Sequence, residues 1–414
     1  MSAQLRIVDL LGNRRVAAAL TLGFASGLPF NLSQMTLQAW MASLDMSLKT
    51  IGWLTWVGMP YLFKFLWAPL LDRFVPPFLG RRRGWIVLCQ AAMALVIAAL
   101  GLQAPNEAIY AVAALALLLS FLSASQDIVI DAYRTDTLRP PERGMGSTAV
   151  QLGWRLATLV SGAFALVLSK YIGWRDTYFL MAVLTAGTVL LTLFAPEPER
   201  SVQPPRTLRA ALIEPLSELM GRPGAVALLA LVVLYKVGDA AALSLSTAFL
   251  IKGAGFSVAE VGAVAKTTSI GAILVGTTIG GLVYARLGLL RSLMIFGILQ
   301  AATNLLYSWL ALAGHDIVVM VIAVGFDNLA GAMGATVFGA FMMSLCDARF
   351  SAFQFAALSA LSAFARSSIG PLAAYMVERI GWPSFFVVTF LCGMPGLALL
   401  WVLRARVAAL DVAK

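Results

Sequence analysis

The sequence has 414 residues, 60% of them hydrophobic and only 12% charged, with a mean hydropathy of +0.86. A soluble domain carries about 25% charged residues, so a water-soluble fold is excluded, and the lack of ten-residue alternation excludes a transmembrane β-barrel. The net charge of +10 raises nucleic acid as a partner, but the placement of the cations points to a bilayer instead, and no nucleic acid is expected.

Apolar stretches of about 20 residues recur from end to end, each long enough to cross a bilayer as a helix. Twelve cores are read at 16–41, 51–71, 84–103, 108–133, 145–169, 177–195, 224–250, 258–285, 292–313, 317–345, 353–377 and 383–403. The first run is too long for the apolar region of a cleavable signal and continues into a multispan chain, so it reads as span one. With the N-terminus inside, about 20 basic residues fall on the cytoplasmic side, about 5 outside and about 5 within spans, the distribution of the positive-inside rule. The expected fold is an all-α polytopic membrane protein with twelve transmembrane helices in two six-helix halves, 1–195 and 224–414. They are joined by the proline-rich linker 196–223, in which "LRAALIEPLSELM" reads as a short amphipathic segment on the membrane surface.

In span one, "GLPFNLSQMTLQAW" places Asn31, Gln34 and Gln38 at i, i+3 and i+7, a polar stripe on a helix interrupted by Gly27 and Pro29. Amides offer paired donors and acceptors that suit sugar hydroxyls and peptide bonds, or hydrogen bonds between helices. Trp40, Trp53 and Trp56, near the outer ends of the first two spans, read as an interfacial belt.

Span four carries "SASQDIVIDAYRTD", with Asp127, Asp131 and Arg134 at i, i+4 and i+7 on one face. Each charge is costly facing lipid, by about 2.5–3.5 kcal/mol on insertion scales, so these groups belong in a cavity or a pair. A carboxylate there responds to desolvation and neighbouring charge, the property a proton-coupled carrier needs. Asp127 is the deeper acid; for Asp131 and Arg134 a proton role and a cytoplasmic gate stay equally open. Gln151 and Arg155 form an i, i+4 pair in span five around Trp154, and Arg155, Lys64, Lys266 and Arg366 are candidate receivers of substrate carboxylates. Lys236 and Asp239, at i and i+3, read as a structural ion pair.

The remaining chemistry is sparse. Cys89, Cys346 and Cys392 have no metal or disulfide spacing, and His315, the sole histidine, reads as an ordinary loop residue. There is no Walker A pattern, no metal-ligand cluster and no nucleophile arrangement, so neither an enzyme nor a cofactor or metal is expected. Asp127 and Asp327, in spans four and ten, and Arg155 and Arg366, in spans five and eleven, occupy corresponding places in the two halves. This favours a parallel repeat of the major facilitator type, with substrate held between the halves.

Four stretches, "GFASGLPFNLSQMTLQAWM", "LKTIGWLTWVGMPYLFKFLWAPLLDRF", "PPFLGRRRGW" and "SASQDIVIDAYRTDTLRPPERG", strongly resemble the AmpG family of muropeptide permeases, densely over residues 20–160 and more thinly afterwards. The resemblance implies proton-coupled import of anhydro-muropeptides, GlcNAc-anhydroMurNAc carrying a short peptide, across the bacterial inner membrane for cell-wall recycling. It further implies that "LLDRFVPPFLGRRRG" is the loop between spans two and three, where Asp72, Arg73, Arg81, Arg82 and Arg83 lock the inward side. A degenerate copy, "YARLGLLRS", follows in the second half. Both termini are expected in the cytoplasm and the chain is expected to act as a monomer. Some family members carry further hydrophobic segments where this sequence stops soon after Trp401, so a difference in substrate breadth is expected. Two other functions stay open on these residues: a carrier of another large anionic solute, such as an acyl-CoA-type compound, and a membrane sensor that transports nothing.

Overall fold

A computed structural model describes residues 13–46, 50, 54–196, 207–257 and 260–412, and among these residues the only regular structure is helical. Span one starts as α1 (Arg14–Ser33), whose first turn is capped by Asn13 Oδ1 accepting from the Arg15 N–H at 2.9 Å. Pro29 lies inside α1 and supplies no donor. The helix stops at Ser33, Gln34 takes a non-helical conformation (φ −120°, ψ −103°), and α2 (Met35–Ser43) resumes. Span two is a run of short pieces, a 3₁₀ turn at Leu54–Gly58, α3 (Met59–Phe63) and α4 (Ala68–Arg73), with Pro60 and Pro69 near the helix starts.

The later helices are longer: α5 (Arg83–Gly101), α6 (Ile109–Thr137), α7 (Arg143–Thr158), α8 (Ala165–Leu193), α9 (Leu208–Gly221) and α10 (Ala225–Ala248). They continue as α11 (Lys266–Ala313), α12 (Ile317–Ser344), α13 (Ser351–Ser368), α14 (Gly370–Val402) and α15 (Arg404–Val412). Three of these are interrupted at a glycine of positive φ, Gly173, Gly288 and Gly381, where a side chain would be strained. With those helices divided at their glycines, a helical stretch falls on each of the twelve expected cores. Among the described residues, and with adjoining helical pieces joined, eight helical stretches are long and apolar enough to cross a membrane. Large apolar side chains such as Leu95 (73% exposed) stand on their outer faces, as a hydrocarbon solvent allows.

The chain folds into two compact units. Unit 1 comprises Met1–Leu138, Ala149–Ser217 and Cys346–Ala360; unit 2 comprises Arg139–Thr148, Glu218–Leu345 and Leu361–Lys414. Each half of the sequence thus lends one short segment to the other's unit. Within unit 1, α1 and α7 cross so closely that a Cβ on Gly153 would stand 2.1 Å from the Leu20 carbonyl oxygen, and only glycine fits there.

Each unit contains the same aromatic device. Ile172-Gly173-Trp174 and Ile380-Gly381-Trp382 hold nearly identical glycine conformations (φ 80°, ψ 166° and φ 74°, ψ 168°). In unit 1, Trp174 stacks on Trp40 at 5.8 Å and Tyr178 lies 5.1 Å from Trp40. In unit 2, Trp382 is 5.2 Å and Phe386 4.8 Å from Phe249. Trp40 is therefore buried in a core, at 5% exposure, and does not form the expected interfacial belt; Trp56, at 60%, is exposed. Stacking on Trp174 and Tyr178 gains more contact for Trp40 than a lipid-facing position offers. Trp53 lies outside the described residues.

His315 is likewise more than a loop residue. Its Nε2 lies 3.1 Å from Glu260 Oε1, and Phe256 packs 4.5 Å from its ring. Glu260 Oε2 accepts from the Ser257 N–H at 2.8 Å and its hydroxyl at 2.7 Å, while Ser257 Oγ accepts from the Glu260 N–H, a reciprocal cap.

Candidate functional site

Unit 1 holds most of the expected site, with its two acids and Arg134 in the C-terminal part of α6. Asp131 is a paired acid: its Oδ1 lies 2.8 Å from Arg134 and its Oδ2 3.4 Å from Lys64. Arg134 also packs over the Phe355 ring at 4.7 Å. One turn earlier, Asp127 receives a hydrogen bond from Ser26 at 2.6 Å, and no cation stands within ion-pair distance of it among the described residues. The two carboxylates thus differ in kind. Asp131 is paired directly with two cations, whereas Asp127 has a hydroxyl as its direct partner, feels Lys64 and Arg134 only at longer range, and carries the less compensated charge. Lys64, at 8% exposure, is committed to Asp131 rather than standing free for a substrate carboxylate.

The amides do not form the expected single stripe, because the helix breaks at Gln34. Asn31, 7% exposed, donates to the Thr158 carbonyl at 2.9 Å, and Thr36 donates to the Ser161 carbonyl at 2.6 Å. Both carbonyls lie at the π-helical turn Leu159–Phe164 between α7 and α8, where the ordinary helical ladder is disturbed. Asn31 thus serves helix packing. Gln34 lies over Gly58, its Nε2 2.6 Å from where a Cβ would stand, and Gln38 is half-buried; among the described residues neither amide is engaged in a side-chain hydrogen bond. Gln151 is half-buried on α7.

Arg155 is exposed and stacks on Trp154 at 5.1 Å, with no acidic partner among the described residues. Trp154 lies 5.6 Å from Phe30, which lies 5.3 Å from Tyr61. A guanidinium without an acidic partner, beside an aromatic run, can receive an anionic and hydroxyl-bearing solute. Phe30 and Tyr61 carry no charge and no pattern, so the sequence reading passed over them. Lys266 and Arg366 lie on α11 and α13, and their side chains fall outside the described residues.

A second cluster joins the start of α5 to α13. Asp72 Oδ1 lies 2.7 Å from Arg81 and 3.0 Å from Arg82, and its Oδ2 accepts from the Phe353 N–H at 2.9 Å. An acid at the end of α4 thus caps the first turn of α13. Arg82, 1% exposed, also donates to Asp136 at 2.8 Å and to Ser351 Oγ at 2.8 Å, while Arg81 donates to the Arg349 carbonyl at 2.9 Å. Burial, and then the charge of Arg82, lower the Arg81 pKa to about 10 against the pull of Asp72, so it stays charged at neutral pH. Burial opposes the charge on Arg82 too, but Asp136 and Asp72 outweigh it and raise its pKa. Arg73 and Arg83 stand outside this cluster. Arg73 packs over Phe74, and Arg83 donates to the carbonyls of Leu193 and Ala195 at the end of α8. Asp136, Ser351 and Phe353 are the members that sequence reasoning missed. Asp136 was legible as a charge, but its partner lies 54 residues away. In the second half, "YARLGLLRS" has no acid at the place of Asp72, and Arg286 and Arg291 are exposed.

Charged side chains turned inward on membrane-crossing helices, a guanidinium left open and a buried ionic cluster at helix ends together describe a polytopic solute carrier. The sequence model of the Major Facilitator Superfamily matches residues 19–370. The anhydromuropeptide permease of Escherichia coli K12 is 49% identical over 391 residues, covering 94% of this chain and 80% of that one. A putative transporter, AmpG 4, of Rickettsia conorii is 30% identical, covering 97% of this chain and all of its own. The crystal structure of the Escherichia coli fucose:proton symporter superposes with a TM-score of 0.69 at 13% identity, covering 94% of this chain and 98% of that one, a likeness of fold alone. The chain belongs to the major facilitator superfamily and, within it, to the AmpG family of permeases. It is a multi-pass membrane transporter and not an enzyme.

Proposed function

We propose that the protein carries anhydro-muropeptides from the periplasm to the cytoplasm across the bacterial inner membrane, with protons moving in the same direction. The kinship with the Escherichia coli permease supports the substrate class. The observation that carries the mechanism is the contrast on α6 between a doubly paired Asp131 and an Asp127 held only by Ser26. Asp127 takes up and releases the driving proton. Gln34, Gln38, Gln151 and Arg155 meet the glycopeptide, with Lys266 and Arg366 as further cations on the second half. Asp72, Arg81 and Arg82 hold Arg349, Ser351 and Phe353 as a cytoplasmic latch, and Asp131 with Arg134 and Lys64 adjoins it. Both termini lie in the cytoplasm and one chain acts alone. Uptake of labelled muropeptide into proteoliposomes, with and without an imposed pH gradient, tests the reading: gradient-dependent accumulation is expected, and its absence overturns the proton coupling.

Arg155 has a separate signature. Arg155→Ala should raise the Kd of the disaccharide-peptide about tenfold or more, since hydrogen bonds to charged groups contribute roughly 1.5–3 kcal/mol. The bare disaccharide, which lacks peptide carboxylates, should lose much less. Calorimetric titration of both ligands measures the difference, and equal losses would make Arg155 a structural residue.

A further inference from the structure

Unit 2 contains a buried polar network that the proposed mechanism does not use. Lys236 on α10 lies 3.8 Å from Asp239 and donates to Gln300 Oε1 at 3.1 Å. On α11, Thr303 donates to Asp327 Oδ1 at 3.1 Å, and Tyr307 donates to Asp327 Oδ2 at 3.3 Å. Asp327 is 3% exposed, and the Asp239 side chain 11%. The expectation of a simple Lys236–Asp239 pair is thus too small, because Asp327 lies close enough for the charges of Asp239 and Lys236 to act on it, and two carboxylates share one lysine. Fully ionised, the network carries one negative charge in excess, a costly state in a dry interior.

Beside it lies a small cavity of about 10 Å³, room for about one water molecule. Asp239, Gln300 and Asn304 line it, together with Gly238, Gly297 and Gly393, and α14 brings no charged group to its wall. Asn304 is 1% exposed, and its amide nitrogen and oxygen both lack a hydrogen-bond partner among the described residues, as does Gln300 Nε2. Asp239 accepts no hydrogen bond there either; its only partner among the described residues is Lys236 at 3.8 Å. Polar atoms this deep are ordinarily satisfied, so Asn304 and Asp239 point to a small polar occupant between them. A metal cation is disfavoured by the Lys236 ammonium beside Asp239. A proton delivered through one water satisfies the amide, cancels the excess charge and leaves Lys236 in place.

We propose that Asp239 and Asp327 form a second proton-binding site in unit 2, so that each transport cycle moves two protons, one bound in each unit. Tyr235 and Tyr307 are the other titratable groups facing the network, and Lys236 is its only cation among the described residues. This rests on the proton-driven reading above. The test is the accumulation ratio of labelled muropeptide in proteoliposomes against an imposed pH gradient, with the membrane potential clamped at zero. Two coupled protons give about a hundredfold accumulation per pH unit, and one gives about tenfold. Asp327→Asn and Asp239→Asn should each reduce the full-length protein from about a hundredfold to about tenfold while keeping substrate exchange. Tyr307→Phe removes a donor to ionised Asp327 and keeps the packing, so its uptake profile should move about one to two pH units toward alkaline. A wild-type ratio of about tenfold, an unchanged ratio in the two variants, or an unmoved Tyr307→Phe profile overturns the second site and leaves the first reading standing. A wild-type ratio independent of pH removes the proton-driven reading itself.

Discussion

Replacing Arg82 with alanine should cause the largest loss of any single change outside the apolar cores. The guanidinium is 1% exposed and touches Asp72, Asp136 and Ser351 at once. Its removal leaves two buried carboxylates short of their cation, and breaking one side of a buried pair costs about 3–5 kcal/mol. That is most of the about 5.5 kcal/mol that separates a 99:1 population from its inverse, enough to drive a two-state carrier strongly toward one state. On the latch hypothesis the Cys346–Ala360 segment should come free of unit 1, and net uptake should fall to background. Cys346 reports it directly: it is 1% exposed, and in a protein with Cys89 and Cys392 replaced by serine its maleimide labelling should rise sharply. Ser351→Ala, which removes one neutral acceptor, should give a small rise. Unchanged labelling in Arg82→Ala would reduce the arginine loop to a topological signal.

The second large effect is expected at Asp127. A membrane potential supplies about 2.3 kcal/mol per elementary charge per 100 mV, but only a group that changes protonation between states can harvest it. Asp127→Asn keeps the shape and the hydrogen bond with Ser26, so the protein should fold and exchange substrate at near wild-type rates. Accumulation driven by a pH gradient should fall by at least tenfold per pH unit. Asp131→Asn should behave differently, because it strands Lys64 and Arg134, and its first symptom should be lost stability. If Asp127→Asn accumulates substrate like wild type, the coupling acid lies elsewhere.

The sequence made the solvent, the helix cores and the inward charges legible, because each follows from local composition. Asp127, Asp131 and Arg134 share a face by helical spacing, and the Asp131–Arg134 pair follows from it. The choice of Lys64 as the other partner does not, since that contact spans 67 residues and depends on how a broken span two meets α6. The amide stripe failed for a local reason. Three positions at helical spacing line up only while the helix continues, and Gln34 interrupts it. Another internal repeat is Ile-Gly-Trp at residues 172–174 and 380–382, a tripeptide that also occurs at residues 51–53. It carries no charge and no polar spacing; what the two units duplicate is a glycine corner and the aromatic ring packed beside it. Asp136 and Ser351 were unreadable as partners of Arg82 because the pairing exists only once distant parts of the chain have met.

That meeting has a consequence for how the protein is made. The Arg82–Ser351 contact joins residues 269 positions apart. At a synthesis rate of about 5–20 residues per second, the arginine loop waits roughly 13–54 s for its partner to emerge. During that interval Asp72 and Arg82 have each other, but the surface that will receive the start of α13 is open to water and to other chains. The first half is therefore an incomplete body in the nascent protein, finished by a piece of the second. Two fragments divided within the 197–206 connection should each enter the membrane, yet the N-terminal one should be short-lived alone and rescued by co-expression of its complement.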